Sequence, residues 1–171
     1  KKILKVGEKY GAINFGLREM KYSGDKVTTD QLLLREIKKN NLDKYKYICC
    51  IYPATPLLNA QSLRKAFKKF KLGKFNSLIS ITTFDYPIFR ALNIKNKKIS
   101  FKWKEFSSKR SQEITEMYHD CGYFYFFRSD IFLKKRKLIN NNTGFFKIDR
   151  HNAIDIDDHT DLKIAKKLFK K

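Results

Sequence analysis

Residues 47–84 read YICCIYPATPLLNAQSLRKAFKKFKLGKFNSLISITTF, and this stretch decides the fold. Its first six residues, Tyr47 to Tyr52, form a short run without polar alternation, as expected of a strand covered on both faces of a sheet. A loop from Pro53 to Asn59 follows. Leu63, Ala66, Phe67 and Phe70 then recur at helical spacing until Gly73 ends the pattern, and Ser77 to Phe84 returns as a strand. Strand, helix and strand in that order make a βαβ unit, so an α/β protein with a mainly parallel sheet is expected.

Working outward, the residues before this unit read as two helices. Lys2 to Tyr10 carries Ile3 and Val6 on one face and is followed by Gly11 and the short apolar stretch Ala12 to Phe15. Thr28, Thr29 and Asp30 offer N-caps for a helix bearing Leu33, Leu34 and Ile37, which stops at Asn40 and Asn41. Beyond the unit, Ala91 to Ile94 and Ile99 to Trp103, with Asn96 in the turn, suggest an inserted hairpin. The aromatic run Cys121 to Phe127 reads as a strand, Asp130 to Lys135 as a helix, and Phe145 to Ile148 and Ala153 to Ile156 as two more strands. A last helix is expected from His159 to Phe169, and there is no internal repeat.

A chain of 171 residues is one domain's worth, here 1–171 with an inserted sub-region at about 90–148. No apolar run approaches the roughly 18 to 20 residues that cross a bilayer, and the first ten residues lack the apolar core of a signal peptide, so no membrane partner and a cytoplasmic location are expected. Three cysteines, with Cys49 and Cys50 adjacent and Cys121 distant, suit neither a disulfide framework nor a four-ligand zinc site and read as small strand residues in a reducing compartment. The formal net charge is +21, from 38 Lys and Arg against 17 Asp and Glu, which brings nucleic acid into consideration. The lysines are nevertheless dispersed along the whole chain, as on solvated helix faces and turns, and nucleic acid is not the expected partner.

The sharpest local signal is Ile154-Asp155-Ile156-Asp157-Asp158. Strand alternation would put Asp155 and Asp157 on one side, with Cα atoms roughly 6 to 7 Å apart. Charges about 6 Å apart repel by roughly 3 kcal/mol at an effective dielectric of 20, which favours a cation there. Magnesium suits hard carboxylate oxygens and takes one or two of them alongside substrate phosphates. The competing reading is helix capping. It is assigned to Asp158 and Asp161, whereas for Asp155 and Asp157 both readings stand open. Open α/β sheets bind ligands at the carboxyl ends of their strands, which directs attention to the loops after Tyr52, Phe84 and Ile156. Arg90, Arg110 and Gln112 lie in polar segments between strands, and Arg matches carboxylate or phosphate. Taken alone they read as ordinary surface residues, His119 as a hydrogen-bonded structural residue, and the strand aromatics as core.

Together the segments resemble the cytidylyltransferases that activate nonulosonic acids, the group containing CMP-N-acetylneuraminate synthetase and pseudaminic acid cytidylyltransferase. The resemblance covers nearly the whole chain. It rests on Arg18 ahead of Thr28-Thr29-Asp30, on Cys49-Cys50-Ile51-Tyr52-Pro53-Ala54-Thr55-Pro56-Leu57, and on Tyr86-Pro87-Ile88-Phe89-Arg90-Ala91-Leu92. It continues in Arg110-Ser111-Gln112, in Tyr118-His119-Asp120-Cys121-Gly122-Tyr123-Phe124-Tyr125, and in Asp155-Ile156-Asp157. The Tyr-His-Asp and Arg-Ser-Gln segments look like the pseudaminate branch. The resemblance implies a Rossmann-like domain of the nucleotide-diphospho-sugar transferase type with a small dimerisation insert, and hence a homodimer. It implies attack by the anomeric hydroxyl of an acidic nine-carbon sugar on the α-phosphorus of CTP, with pyrophosphate leaving. Asp155 and Asp157 match magnesium ligands; Arg18 and Thr29 match the cytosine side; Arg90, Arg110 and Tyr125 match the sugar side, with Arg110 suited to the sugar carboxylate, and Gln112 is expected among the substrate-binding residues. Phe145 and Phe146 match a loop that reaches across the dimer in the sialate enzymes.

Nothing in the chain matches the family's first strand and its loop rich in Gly, Ser, Lys and Arg that holds the CTP phosphates. A piece of at least about 30 residues is therefore expected to be missing, leaving a fragment or a remnant. Two other function classes remain in view: a basic nucleic-acid-binding module, and an inactive remnant that only dimerises.

Overall fold

The computed structural model describes residues 2–169. They form two compact units, one of residues up to 48 together with 127–138, the other of 49–126 together with 139 onward.

In the first unit, α1 (Lys2–Lys9) buries no side chain, and its Ile3 and Val6 are both exposed. The second helix, α2 (Thr29–Lys39), starts as its sequence dictates. The Thr28 hydroxyl accepts from Gln31 N at 3.3 Å and the Gln31 side chain accepts from Thr28 N at 3.0 Å, a capping box that satisfies donors the helix itself cannot. Ile37 is the fully buried residue of α2. The helix start is tied down further where Asp30 accepts from Leu138 N at 3.0 Å. A third helix, α4 (Ser129–Lys135), is anchored by Ser129, whose hydroxyl donates to Tyr45 O at 2.6 Å. Phe127 and Phe132 pack with ring centroids 4.8 Å apart.

The main sheet has the order β1-β5-β2-β6, where β1 is Tyr47–Ile51, β2 Ser77–Thr83, β5 Tyr118–Arg128 and β6 Thr143–Lys147. β2 and β6 are parallel, with Ser77 opposite Thr143 and Ile81 opposite Lys147. β5 runs against both its neighbours. Tyr52 N donates to Tyr123 O while Ser129 N donates to Lys46 O, so residue numbers rise along β1 as they fall along β5. Likewise Phe84 N meets Met117 O, while Ser80 Oγ accepts from the backbone N of Tyr123 and Phe124. Three strands therefore point one way and β5 the other. The α/β class expected from residues 47–84 is present, but the sheet is mixed: three of its four strands share a direction, while only β2 and β6 form a parallel ladder, because the reversed aromatic strand lies between β1 and β2.

The helix of that βαβ unit, α3 (Ala60–Leu72), sets Phe67 and Phe70 against Phe126, with centroids 5.4 and 6.1 Å away. Phe124 packs on Phe146 at 6.0 Å, so alternate aromatics of β5 fill the face beneath α3. The Phe75 ring covers Gly144 so closely that a Cβ there would fall 2.5 Å from it, which is why β6 carries a glycine at that point. The expected hairpin exists as β3 (Leu92–Lys95) and β4 (Lys98–Phe101), turning through Asn96 and Lys97. α5 spans His159–Phe169 and buries Ala165.

One expected strand is absent. Ala153 to Ile156 has no ladder partner. Its backbone donors go elsewhere, Ile154 N to the Tyr123 hydroxyl at 2.8 Å and Ile156 N to Ala54 O at 3.0 Å. The alternation that placed Asp155 and Asp157 on one strand face therefore does not apply.

Candidate functional site

The segment carrying Asp155 is held from two sides. The Tyr123 hydroxyl, which donates to Asn152 O as well as accepting from Ile154 N, fixes its approach from β5. Ala54 O fixes it from the loop after β1. That loop is itself shaped by Thr55, a buried residue whose hydroxyl donates to Tyr52 O at 2.8 Å. The site thus forms where β1 ends, the position at which open α/β sheets bind ligands.

Across from Asp155, β5 departs locally from extended backbone. Gly122 has φ +66°, a left-handed conformation that costs glycine nothing and other residues about 1 kcal/mol. A Cβ at Gly122 would lie 3.5 Å from Asp155 Oδ2 and 3.7 Å from the Tyr52 ring, so carboxylate, turn and ring are in immediate contact range. Asp120 locks the turn by accepting from Gly122 N at 2.9 Å and from the Tyr125 hydroxyl at 2.7 Å. The Tyr125 ring is 5.6 Å from that of Tyr52. Burial, reinforced by the Asp120 carboxylate, pushes the Tyr125 hydroxyl far above its ordinary pKa, so it stays protonated and serves as a donor.

Asp155 is half-buried and its pKa is raised, first by burial and then by the charges of Asp157 and Asp161. Among the described residues no ion pair involves Asp155 or Asp157. Asp158 and Asp161 cap α5 as expected. Asp158 accepts from the backbone N of Thr160 and Asp161, and Asp161 accepts from those of Asp157 and Asp158. These donors hold the Asp158 carboxyl below its usual value. Among the described residues, no group of three or more His, Cys, Asp or Glu side chains is arranged to hold a metal ion on its own.

Only part of the expected set converges here. Asp155, Asp157 and Tyr125 belong to this corner. Arg110 is exposed and precedes the 3-10 turn Ser111–Glu113 that contains exposed Gln112. Arg90 is exposed with its guanidinium 6.0 Å from the Phe101 ring centroid. Arg18, in an exposed segment without regular secondary structure, and Thr29, the first residue of α2, belong to the first unit. Phe145 lies under Lys69 Nζ, 4.1 Å from its ring centroid, while Phe146 points into the core. His119 bonds to Asp120 O and packs on Phe84, a structural role as expected. The three cysteines are free thiols, and burial pushes Cys49 up to about 12 and Cys50 to about 11, which removes them as nucleophiles at neutral pH. Asp120, Gly122 and Tyr52 were not singled out by chemistry in the sequence. The available signal was a glycine inside an aromatic strand, which marks a bulge or a close approach.

No family model matches the chain. Among curated proteins, the pseudaminic acid cytidylyltransferase of Campylobacter jejuni subsp. jejuni serotype O:2 is 36% identical over 172 residues, covering 98% of this chain and 74% of that protein. A Helicobacter pylori protein named pseudaminic acid cytidylyltransferase and UDP-2,4-diacetamido-2,4,6-trideoxy-beta-L-altropyranose hydrolase is 24% identical over 88% of this chain and 29% of its own length. An N-acylneuraminate cytidylyltransferase of Escherichia coli is 23% identical over 94% of this chain and 38% of its own length.

Proposed function

The chain belongs to the pseudaminic acid cytidylyltransferase family, and on that premise we propose that its reaction transfers CMP from CTP to a nonulosonic acid, pseudaminic acid being the expected sugar, with release of pyrophosphate. The observation that carries the reading is the Asp155 corner. A half-buried carboxylate with an acidic neighbour and no cationic partner among the described residues lies in a segment whose backbone N–H groups are held by the Tyr123 hydroxyl and by Ala54 O at the carboxyl end of β1.

Asp155 and Asp157 fit a divalent cation, magnesium by our reading, as a hard two-carboxylate donor set whose mutual repulsion the ion would relieve. Two side chains are fewer than a self-sufficient site needs, which leaves positions for substrate phosphates. The ion would supply charge neutralisation at the α-phosphate and acidify the attacking hydroxyl. The chain's own residues do the positioning. Tyr52 and the Gly122 turn form the wall against which Asp155 is set. Tyr125, protonated and oriented by Asp120, offers a fixed edge to the sugar. Arg18 and Thr29 are assigned to CTP; Arg90, Arg110 and Gln112 to the sugar, with Arg110 for its carboxylate.

The homodimer is part of the same reading. In the β3–β4 register Ile94 faces Ile99 and Leu92 faces Phe101, so one hairpin face is apolar, with Leu92, Ile94 and Ile99 exposed. A second copy is the natural cover for it. The assay is pyrophosphate release from CTP in the presence of pseudaminic acid, using the protein that carries this chain. Asp155→Asn is expected to lower turnover by at least about 100-fold, because an amide is a poor ligand for a hard cation. Wild-type turnover by that variant at limiting magnesium would sink the assignment.

A further inference from the structure

We propose that the hollow between residues 21–27 and α2 is a second binding site, distinct in its residues from those assigned to CTP and the sugar, and that it takes a phosphate-bearing polyanion. The hollow has a volume of about 740 Å³. That lies within the roughly 300–1,000 Å³ of small-molecule and cofactor sites. Nine residues line it. Five are cationic, Lys21, Lys26, Arg35, Lys38 and Lys39, and none is acidic. At the chain's average of 38 Lys and Arg in 171 residues, about two of nine would be expected, so the concentration is local and not a reflection of overall composition.

Arg35 makes this more than a patch of surface lysines. Its side chain is only 8% exposed. One terminal nitrogen donates to Glu19 at 2.6 Å and the other to Glu36, while its buried Nε has no partner among the described residues. A guanidinium nitrogen left without an acceptor is a donor that a ligand oxygen can satisfy. The guanidinium is held over the Tyr22 ring, 5.0 Å from its centroid, and Glu19 also binds Lys21 at 3.1 Å. The loop and the helix are therefore clamped together before any ligand arrives, and little ordering remains to be done on binding.

Phosphate fits better than a lone carboxylate. Four lysines contribute point charges with freely turning donors, which suit a multiply charged ligand with oxygens on several sides. Each exposed pair is individually weak in water and is weakened further by salt, so affinity depends on several acting together. The phosphates could come from a free polyphosphate or from a nucleic acid backbone, and the two are separable by experiment. None of this depends on the transferase reading.

The test uses two probes, inorganic triphosphate by calorimetry and a labelled twelve-nucleotide oligothymidylate by fluorescence anisotropy. Both are applied at moderate salt to the wild type, to Lys38→Ala/Lys39→Ala, to Arg35→Lys, and to a control, Lys166→Ala/Lys167→Ala, that loses the same charge elsewhere. At least one probe should bind with one-to-one stoichiometry, weakened about tenfold by Lys38→Ala/Lys39→Ala and less than about twofold by the control. Binding of triphosphate alone identifies a free polyphosphate as the source, and binding of the oligonucleotide alone identifies nucleic acid. Should Arg35→Lys fail to fold, the exposed lysine pair still decides. The proposal is overturned if neither probe binds, or if the control weakens binding as much as the site variant does.

Discussion

Asp155 carries a charge that its surroundings disfavour, and this separates its role in chemistry from any role in stability. Its folded-state pKa lies above its ordinary value of 3.8, chiefly through burial and then through Asp157 and Asp161. Below the ordinary value the group is protonated in both states and contributes nothing. As pH rises through that value and the raised one, the unfolded chain loses its proton more readily, and stability falls. Asp155→Asn should therefore raise the melting temperature at pH 7 but not at pH 3, while abolishing turnover. A variant destabilised at pH 7 would mean that the carboxylate has a stabilising partner. Gly122→Ala tests the wall opposite. The space is adequate at 3.5 Å, so the cost is the left-handed backbone, about 1 kcal/mol, seen as a lower urea midpoint. The acid pair was legible in the sequence because two acids stand out in a basic chain. Gly122 and Asp120 were not, because their work depends on a φ angle and on a hydroxyl brought back by the strand.

At the scale of elements, the hairpin shows how much turn chemistry a sequence can state. Asn96 and Lys97 adopt φ of 50° and 61°, both left-handed, as a type I′ turn requires. Asn tolerates this, and Lys does so at a cost. Lys97→Gly should thus stabilise the protein by up to about 1 kcal/mol, measured as a shift of the urea midpoint at unchanged slope. A decrease would show that the Lys97 side chain contributes more than its backbone strain costs. The α2 start was legible for the same reason, since Thr28 and Gln31 are three residues apart and satisfy each other locally. Ala153 to Ile156 misled because its extended, alternating pattern is shared by any segment laid along a protein surface. What distinguishes a strand is a neighbour, and here the donors were taken by a tyrosine hydroxyl and a loop carbonyl.

For the whole molecule, the α/β class followed from the strand, helix, strand sequence, but the order β1-β5-β2-β6 did not. Nothing local in Tyr123 to Phe127 says that it enters between two strands joined by a helix, because its apolar side chains would suit any central position. The most extreme whole-chain property, the net charge of +21, acts on stability rather than on fold. The ion pairs that offset it sit near the surface, such as Lys147 with Glu116 and Arg150 with Asp85, and exposed pairs of that kind contribute little. Repulsion among the remaining cations should dominate at low ionic strength. Raising sodium chloride from about 0.02 to 0.3 M shortens the screening length from roughly 20 to 6 Å. If this relieves about 1 kcal/mol, the melting temperature should rise by about 2–4 °C for a chain of this size. A fall with added salt would mean that attractive pairs outweigh the repulsion. Sodium triphosphate at equal ionic strength screens equally, so any stabilisation beyond that of chloride reports binding to the folded state, by mass action. That excess should vanish in Lys38→Ala/Lys39→Ala, whereas the chloride effect should shrink only slightly, because two charges are a small part of the total.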